Sequence, residues 1–535
     1  MVVARRGRWD WTWLGLFLLA LAVRLPYLQV ARVVQTEGTT YVTLARHLLL
    51  SHRYVGILGE TELVMVSVFP HGIALLGKIL GDTVLAGRIL ALGCNAALIL
   101  PLYALARSLF GPRTALWSGL LLALHPYLVA YAPLIRVESP FLCVWLWGIY
   151  ATWRALRSGP KTSWVIGVPL FFALAYLLKS EGAVYFALSW FLLLLVWLYQ
   201  GYGRQALAVL FLQGVLFLLL AAPMVLWLTR QTGHLTLDTK GIVNYGIAAR
   251  IASGMDYHRA AYGLEPDGSP AGPLLDRNRL VREGKGPRRP ALGRPAYRAG
   301  MVRVLLREGR LLLWPLLGRW WILLALWGVL MAWLRGRWAG VLFPLWYLLP
   351  ACLGVATILF VWMRYLLPLV PLVALWVGYG VDALVDVVLA ALGRPLRSRG
   401  YVVAGGALVF LLVLTHPYTR VAWAMLSTVP DVEQQEAGLW LRQFDPRPDK
   451  RIMSTTSQVP FYAEGVHVPM PVDDPERIVK YARRRGVHYV VISEVKDRHR
   501  PTRVWLDPAN APPGWELIYE GGSRGHRVLV YRREE

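Results

Sequence analysis

Cysteine is scarce in this sequence, and the positions of the few cysteines exclude two kinds of site. Cys94, Cys143 and Cys352 each lie inside a long apolar run. They have no metal-ligand spacing, so no cysteine metal centre is predicted. We interpret them as small buried hydrophobic residues, and no disulfide framework is expected.

Acidic residues are few beside basic ones, with 32 Asp and Glu against 57 Lys and Arg, a net charge of +25. So basic a chain could bind nucleic acid, but the distribution of charge argues against it. Residues 431–535 hold 17 basic and 16 acidic residues and are nearly neutral. The excess lies in residues 1–430, mainly between apolar runs, where basic residues set topology and contact lipid head groups. We therefore expect membrane lipid as a partner and no nucleic acid.

Charge is almost missing from the apolar runs themselves. Hydrophobic residues make up 56% of the chain, and they are gathered in blocks of about 18 to 25 residues, the length that crosses a bilayer as a helix. The sequence therefore predicts a polytopic α-helical membrane protein with about eleven transmembrane helices. The predicted spans are Trp11–Val30, Val84–Ala106, Ala115–Tyr131, Pro140–Leu156, two within Trp164–Tyr199, Ala206–Leu228, Trp320–Leu334, Ala339–Val361, Leu366–Leu392 and Tyr401–Thr415.

Basic connections give the predicted orientation. Arg5, Arg6 and Arg8 precede the first run, and no small-residue cleavage site stands out, so we expect a retained helix with a cytoplasmic N-terminus in the cell membrane. The large loops 31–83 and 230–318 and the segment after the last span then face outside. Residues 1–430 are predicted to form the transmembrane domain.

Residues 431–535 form a second predicted domain, of the α/β class and extracytoplasmic. Five short strand-like runs alternate with two helical stretches there, and Asp473 or Asp474 with Pro475 indicates a helix start. The segment has no Gly-rich phosphate loop, metal cluster or nucleophile motif, and the chain has no internal repeat.

Carboxylates at the predicted outer ends of the helices are the candidate reactive groups. Glu37 follows the first span, Glu138 lies in Arg136-Val137-Glu138, and Glu181 lies in the turn after Lys179. Such acids in one outer cavity would suit general-base chemistry on a hydroxyl, or a divalent cation, although whether a metal is needed stays unknown. The alternative is that each is solvated at a helix end and paired with Arg136 or Lys179.

Glu37 is the strongest of these candidates because of its setting. Tyr41, Leu44, Ala45 and Leu48 follow it at helical spacing, which predicts an amphipathic helix over Gly38–Leu50. The dipole of that helix would favour an ionised carboxylate at its start. In the alternative interpretation, Glu37 is only a helix-start acid.

The candidate phosphate-binding cations are Arg364, Arg88 and Lys179. Arg364 is the sole charge between two long apolar spans and could hold a lipid phosphate with both guanidinium arms, or it could simply snorkel to the interface. Arg88 has the same ambiguity. His71 is a weaker acid–base or ligand candidate. The basic stretch 230–310, with 15 basic and 7 acidic residues, would attract an anionic substrate, or else is a solvated loop.

Four stretches, in order, resemble motifs of the GT-C superfamily, specifically bacterial relatives of dolichyl-phosphate-mannose–protein mannosyltransferases and aminoarabinose lipid A transferases (glycosyltransferase family 39-like). They are Glu37-Gly-Thr-Thr-Tyr41-Val-Thr-Leu-Ala45, Phe69-Pro70-His71-Gly72 with Gly87-Arg88, Arg136-Val137-Glu138, and Arg364-Tyr365-Leu366-Leu367-Pro368. The resemblance covers about residues 10–415, and it implies a GT-C-like transmembrane domain with an extracytoplasmic C-terminal domain.

The resemblance implies a glycosyltransferase that moves a hexosyl or pentosyl group from a polyprenyl-phosphate donor to a lipid, glycan or protein acceptor, with inversion. Glu37 or Glu138 would be the base, and Arg364, Arg88 or Lys179 would hold the phosphate. One position departs from the family, which has Asp before the Glu of the first loop where this chain has Thr36. A threonine is no base at neutral pH.

The sequence is also compatible with two other functions. A flippase or transporter of a lipid-linked glycan would place charges near the bilayer midplane and often shows repeats. A non-catalytic assembly subunit is made credible by Thr36.

Overall fold

The computed structural model describes residues 11–30, 32–287, 289–393, 399–426, 430–522 and 525–534. The arginines at positions 5, 6 and 8, which set the predicted orientation, lie outside the described residues. The fold is mostly helical, with one sheet near the C-terminus.

Thirteen helices lie between residues 12 and 252 in the described part of the chain. They are α1 (Thr12–Arg24), α2 (Pro26–Val30), α3 (Thr36–Ser51), α4 (Phe69–Leu80), α5 (Thr83–Ala97), α6 (Ile99–Leu109), α7 (Pro112–Ala123), α8 (Pro126–Tyr131), α9 (Glu138–Ser158), α10 (Trp164–Leu178), α11 (Glu181–Tyr199), α12 (Gly203–Thr232) and α13 (Lys240–Ala252).

The remaining helices complete the bundle and flank the sheet. They are α14 (Tyr257–Tyr262), α15 (Arg277–Arg282), α16 (Pro295–Arg303), a π-helix (Val304–Glu308), α17 (Gly309–Leu317), α18 (Arg319–Leu334), α19 (Trp338–Thr357), a 3-10 helix (Met363–Leu366), α20 (Leu369–Ala391), α21 (Arg399–Leu414), α22 (Thr419–Met425), α23 (Val432–Phe444), α24 (Gln458–Tyr462), α25 (Pro475–Arg484) and 3-10 turns at Pro501–Leu506 and Pro508–Asn510.

The chain is a multi-pass membrane protein, but the number of spans is not confirmed. Within the described residues, six helical segments are long and apolar enough to cross a bilayer, or up to eight if two bent pairs each count as one span. Several predicted spans are short or broken. Helix α7 has 12 residues and is separated from α8 by Leu124-His125 ahead of Pro126, and α10 has 15 residues. Length and apolarity alone therefore do not fix the count.

The long apolar stretch Trp164–Tyr199 is two helices joined by a tight turn, as predicted. Helix α10 ends at Leu178 and α11 begins at Glu181. Gly182 allows the close approach, since a Cβ there would lie 2.2 Å from the backbone nitrogen of Tyr176. The turn therefore holds Lys179 and Glu181 at one end of the bundle.

The helix predicted after Glu37 is confirmed as α3. Tyr41, Leu44 and Ala45 are buried on one face, and His52 ends the helix in a left-handed conformation. Burial of that stripe anchors α3 to the bundle and fixes where its first turn lies.

All five strand-like runs after residue 450 form one sheet, composed of β1 (Arg451–Ser454), β2 (Val466–Pro469), β3 (Tyr489–Ser493), β4 (Trp515–Gly521) and β5 (Val528–Arg533). The order is β2-β1-β3-β5-β4, with β1 parallel to β2 and β3, and β5 antiparallel to β3 and β4. Helix α25 confirms the predicted helix start, with Pro475 in its first turn.

The sheet region is in contact with the rest of the chain. The His467 amide donates to the Ile57 carbonyl at 2.9 Å, and the Val472 amide donates to the Tyr262 carbonyl at 2.9 Å. Both acceptors belong to the large loops 31–83 and 230–318, so the sheet lies at the same end of the bundle as those loops.

Candidate active site

Glu37 lies in the first turn of α3, where two arginines from distant parts of the chain meet it. Its Oε1 accepts a hydrogen bond from the Arg364 guanidinium, and its Oε2 lies 3.9 Å from Nε of Arg136. Arg364 belongs to the 3-10 helix before α20, and Arg136 to the loop before α9. All three side chains are mostly buried, so the pairing occurs away from bulk water.

The charges around Glu37 decide its protonation state. Burial alone would raise the pKa of the Glu37 carboxyl, but Arg364 and Arg136 outweigh it, and the pKa lies below its ordinary value. Burial alone would lower the pKa of both guanidinium groups, but the pKa of Arg136 is raised by Tyr131 and Glu37, and that of Arg364 by Glu37. Glu37 is therefore ionised at neutral pH.

Two glycines let the Arg136 loop approach α3 closely. A Cβ at Gly38 would lie 3.1 Å from Cβ of Ile135, and a Cβ at Gly87 would lie 3.0 Å from its Cγ2. Ile135 is thus packed between α3 and α5, and Arg136 follows it toward Glu37. Gly87, which belongs to the Gly87-Arg88 motif, therefore makes room for the side chain of Ile135.

Glu138 is a second buried carboxylate of this site. It begins α9, is 5% exposed, and its Oε2 is buried without a hydrogen-bond partner among the described residues. In the alternative interpretation, Glu138 is paired with its neighbour Arg136. In the structure, Arg136 lies near the carboxylate of Glu37 instead. An orphaned buried carboxylate oxygen is costly and is commonly kept for a ligand.

A cavity of about 430 Å³ connects four of the predicted site residues: Glu138, Lys179, Glu181 and Arg364 all line it. Lys179 and Glu181 form an ion pair at 3.2 Å. This pairing agrees with the alternative interpretation, in which Glu181 is a helix-end acid paired with Lys179. The wall carries both charges and an apolar side that includes Phe141 and Leu142, which suits a ligand with a charged group, hydroxyls and an apolar part.

Glu37, Arg136, Tyr41, Arg88 and His71 are not among the residues that line this cavity. Tyr41 is buried and meets Phe69 edge to face, with ring centroids 5.3 Å apart. Arg88 donates to the Arg32 carbonyl at 2.8 Å. His71 stacks on Tyr54, at 5.8 Å between ring centroids, and lines a separate, mainly apolar cavity of about 540 Å³.

Sequence reasoning missed Asp238, Lys240 and Tyr365, which also line the 430 Å³ cavity. Asp238 accepts from the backbone amides of Lys240 and Gly241 and so caps α13. An Asp before a Lys at a helix start is a readable capping signal. The capping signal does not indicate which cavity the helix faces. Tyr365 has a clearer signal, because it follows Arg364 in the motif Arg364-Tyr365-Leu366-Leu367-Pro368.

A buried ion pair joins the two large loops over this end of the bundle. Glu62 is fully buried and lies 2.5 Å from the Arg277 guanidinium, and the Leu63 amide donates to Asn278 at 2.9 Å. The loop 230–318 is therefore held against the loop 31–83 rather than solvated throughout.

Protein side chains alone do not supply the ligands of a complete metal centre at the described residues of this site. Among the described residues, no three His, Cys, Asp or Glu side chains are grouped as metal ligands. Glu37 is already paired with arginine, and Glu181 with lysine. The residues present do not fit a cation held by three protein side chains.

The chain is similar to known proteins, in sequence over part of its length and in fold over nearly all of it. Residues 66–227 match the family model described as "Dolichyl-phosphate-mannose-protein mannosyltransferase". ArnT from Cupriavidus metallidurans, solved with undecaprenyl phosphate, superposes with a TM-score of 0.59 at 15% identity, over 98% of each chain. The chain has the GT-C fold.

A second GT-C structure agrees over nearly the whole chain. The archaeal oligosaccharyltransferase AglB from Archaeoglobus fulgidus, solved with an inhibitory peptide and a dolichol-phosphate, matches with a TM-score of 0.60 at 12% identity, over 97% of this chain and 74% of that one. The Archaeoglobus enzyme has also been solved with zinc and sulfate. No curated protein sequence matches the chain significantly. The predicted resemblance to GT-C membrane glycosyltransferases is confirmed at the level of the fold.

Proposed function

We propose that this chain is an integral-membrane glycosyltransferase that moves a sugar from a polyprenyl-phosphate donor to an acceptor hydroxyl at the extracytoplasmic face. The observation that carries the proposal is the meeting of Glu37 with Arg364 and Arg136, because Arg364 in turn lines a cavity together with Glu138 and Lys179. The GT-C fold and the partial family match support a membrane glycosyltransferase.

The donor phosphate would bind to the cations of the cavity. Arg364 and Lys179 line it, and Lys240 adds a third positive group. Negative charge grows on the leaving phosphate in the transition state, and fixed cations in a partly buried site stabilise that charge strongly. Undecaprenyl phosphate in ArnT and dolichol-phosphate in AglB support a lipid phosphate as the ligand.

The chemical step needs one base and one leaving group. The acceptor oxygen attacks the anomeric carbon, the bond from that carbon to the phosphate oxygen breaks, and a carboxylate takes the hydroxyl proton. Base and phosphate on opposite faces of the sugar give inversion. Glu37 is ionised but bound to Arg364, so a phosphate that draws Arg364 to itself would free Glu37 to act as the base. Glu138, whose Oε2 accepts no hydrogen bond from any residue that the structure describes, is the alternative base.

The domain organisation and orientation belong to the same proposal. Residues 1–430 would form the transmembrane domain and residues 431–535 an extracytoplasmic α/β domain. Basic connections such as Arg113, Arg335 and Arg337 lie at the end of the bundle away from Glu37, which supports a cytoplasmic position for that end. The acceptor would be a lipid, glycan or protein.

Transfer by purified protein tests the proposal. The protein is incubated with a panel of labelled undecaprenyl-phosphate hexoses and pentoses and membrane extract as the acceptor source, with and without a chelator. Release of undecaprenyl phosphate with label in the acceptor is expected. We expect Glu37→Gln or Glu138→Gln to lower the rate by about 10²- to 10⁴-fold, the usual contribution of a general base.

Glu436→Gln is the matched control, since Glu436 is exposed on α23, away from the cavity. Full rates in both Glu37→Gln and Glu138→Gln would refute the assignment of the base. Movement of the lipid across the bilayer without cleavage of the sugar–phosphate bond would identify a flippase instead, and binding without transfer a non-catalytic subunit.

A further inference from the structure

Side chains from one short segment near the C-terminus contact the chain on both sides of Glu37. The Ser457 hydroxyl lies 3.1 Å from the Thr36 carbonyl oxygen, to which it donates, and 2.7 Å from the Thr39 hydroxyl. Ser457 directly precedes α24. Thr36 and Thr39 flank Glu37, so this single hydroxyl spans the turn that presents the carboxylate.

The residues of α24 bind the chain just before that turn. The Gln458 amide donates to the Val34 carbonyl at 3.3 Å, and the Val34 amide donates to the Tyr462 hydroxyl at 2.8 Å. Both polar groups of the Val34 backbone are thus satisfied by α24. Gln35, the residue at the N-cap position of α3, makes no capping bond with its own side chain, and the chain that leads into α3 is held by α24 instead.

The segment that supplies these contacts is itself fixed. The Gln458 amide also donates to Asp431 at 3.1 Å, and Asp431 forms an ion pair with Lys496 at 2.6 Å. Phe461 is buried in the main hydrophobic core and has the Arg46 guanidinium of α3 over its ring at 4.8 Å. Ser457 and Gln458 are nearly fully buried, so water does not compete for their hydrogen bonds.

On the opposite side, Glu37 is reached by Arg136 from the loop that packs Ile135 against Gly38. The first turn of α3 therefore lies between that loop and α24. Glu37 must change partners during the reaction, from two arginines to the proton of the acceptor hydroxyl, so its position needs to be held by neighbouring groups. A displacement of a reacting group by about 1 Å can lower the rate about 10²-fold.

We infer that residues 457–462 position Glu37 for the reaction, so that Ser457 and Gln458 are positioning residues of the active site although they belong to the C-terminal α/β region. The inference rests on the proposed function. It gives the C-terminal region a role in catalysis that does not require it to touch the sugar or the acceptor.

Amide hydrogen exchange and transfer rates together test the inference. In the purified full-length protein, Ser457→Ala removes the bonds to Thr36 and Thr39. We expect amide exchange across residues 34–39 to rise about 10-fold and the transfer kcat to fall about 10-fold, while binding of undecaprenyl phosphate alone changes less than twofold. Ser457→Thr keeps the hydroxyl and should recover most of the rate. Gln458→Ala is the second variant and should act in the same direction.

Ser454→Ala is the matched control. Ser454 is as buried as Ser457, and its hydroxyl donates to the Thr456 carbonyl at 2.7 Å, within the same segment. We expect it to leave exchange at residues 34–39 unchanged.

Coupling to Glu37 separates positioning from a general loss of structure. If Ser457 acts through Glu37, Ser457→Ala should cause no further loss in the Glu37→Gln background. Losses that multiply, or unchanged exchange at residues 34–39, would overturn the inference while transfer by the unmodified protein still upheld the proposed function. Absence of transfer by the unmodified protein would instead count against the proposed function.

Discussion

The two ends of the helix bundle each carry a cluster of arginines and carboxylates around a cavity, yet they are satisfied differently. At the far end, Asp386 lies 3.3 Å from Arg113 and 3.9 Å from Arg335. Asp382 accepts from Tyr401 at 2.5 Å and from Thr114 at 3.0 Å. Each of the four carboxylate oxygens has a partner from a neighbouring element.

At the Glu37 end, the described residues do not provide a partner for every buried carboxylate oxygen. Glu37 is shared by two arginines, but one buried oxygen of Glu138 has no hydrogen-bond partner in the described part of the chain. The 430 Å³ cavity that Glu138 lines is also lined by Lys179 and Lys240. Closed networks stabilise structure, whereas an unpaired buried group raises the free energy of the empty site and can be satisfied by a ligand. This difference supports the proposal that the chemistry takes place at the Glu37 end, whereas the carboxylates of the Asp382–Asp386 cluster are bonded within the fold.

The largest expected difference is between two arginines. Arg364→Ala removes the cation that pairs Glu37 and faces the cavity, so we expect transfer to fall by about 10²- to 10³-fold, the usual effect of losing one group that stabilises transition-state charge. Arg113→Ala, at the far end, should leave the rate within threefold. Rates of transfer from a labelled undecaprenyl-phosphate sugar measure both; equal losses in the two variants would erase the distinction between the ends.

The far end should respond in stability rather than activity. Asp382→Ala leaves Thr114 and Tyr401 without their acceptor, and we expect a loss of about 1 to 3 kcal/mol in the free energy of unfolding. Unfolding in detergent, followed by circular dichroism against denaturant, measures the loss, and the transfer rate of the folded fraction should stay normal. A rate that collapses in a fully folded variant would mean that the far end takes part in the chemistry.

A smaller effect is expected for the newly located lysine. Lys240 lines the cavity from the start of α13, so Lys240→Ala should weaken binding of undecaprenyl phosphate by about 3- to 10-fold and reduce its dependence on salt. Lys285 is a matched control, because it is exposed and paired with Glu283 in the same loop. Identical affinities for Lys240→Ala and Lys285→Ala would remove Lys240 from the phosphate site.

The smallest effect is a shift along the pH axis. Because Arg364 and Arg136 hold the pKa of Glu37 below its ordinary value, its charged form contributes stability above the unfolded-state pKa that is lost as the pH falls through the folded-state pKa. If Glu37 is the base, kcat/KM in the unmodified protein should fall at a pH below the ordinary glutamate range. In Arg364→Gln the pKa of Glu37 rises, so the midpoint should move to higher pH. A midpoint that does not move would favour Glu138.

Much of the fold was readable from the sequence because each prediction rested on local pattern. The two helices within Trp164–Tyr199, helix α3 and the five strands follow from periodicity, chain length and turn residues. The number of spans was less predictable, since α7 and α10 are too short to qualify alone and packing against neighbours decides their position.

The candidate site was only partly predictable for the same reason. Glu138, Lys179, Glu181 and Arg364 do line one cavity, whereas Arg88 and His71 are bound elsewhere. A single arginine at a helix end looks the same in sequence whether it faces a cavity or holds a carbonyl, as Arg88 does. The sequence offered no sign that Ser457 would lie beside Thr36, more than four hundred positions away.

What the sequence by itself determined is therefore the class of molecule: a membrane-embedded helical chain, a basic set of connections and a small sheet region, all consequences of composition and periodicity. Only the tertiary structure decided which charges meet. It paired Glu37 with Arg364 rather than leaving it as a helix-start acid, and within the described ranges it left one oxygen of Glu138 without a hydrogen-bond partner. The physical reason is that ionic and hydrogen-bond partners are chosen by proximity in space, at separations along the chain that no local pattern encodes.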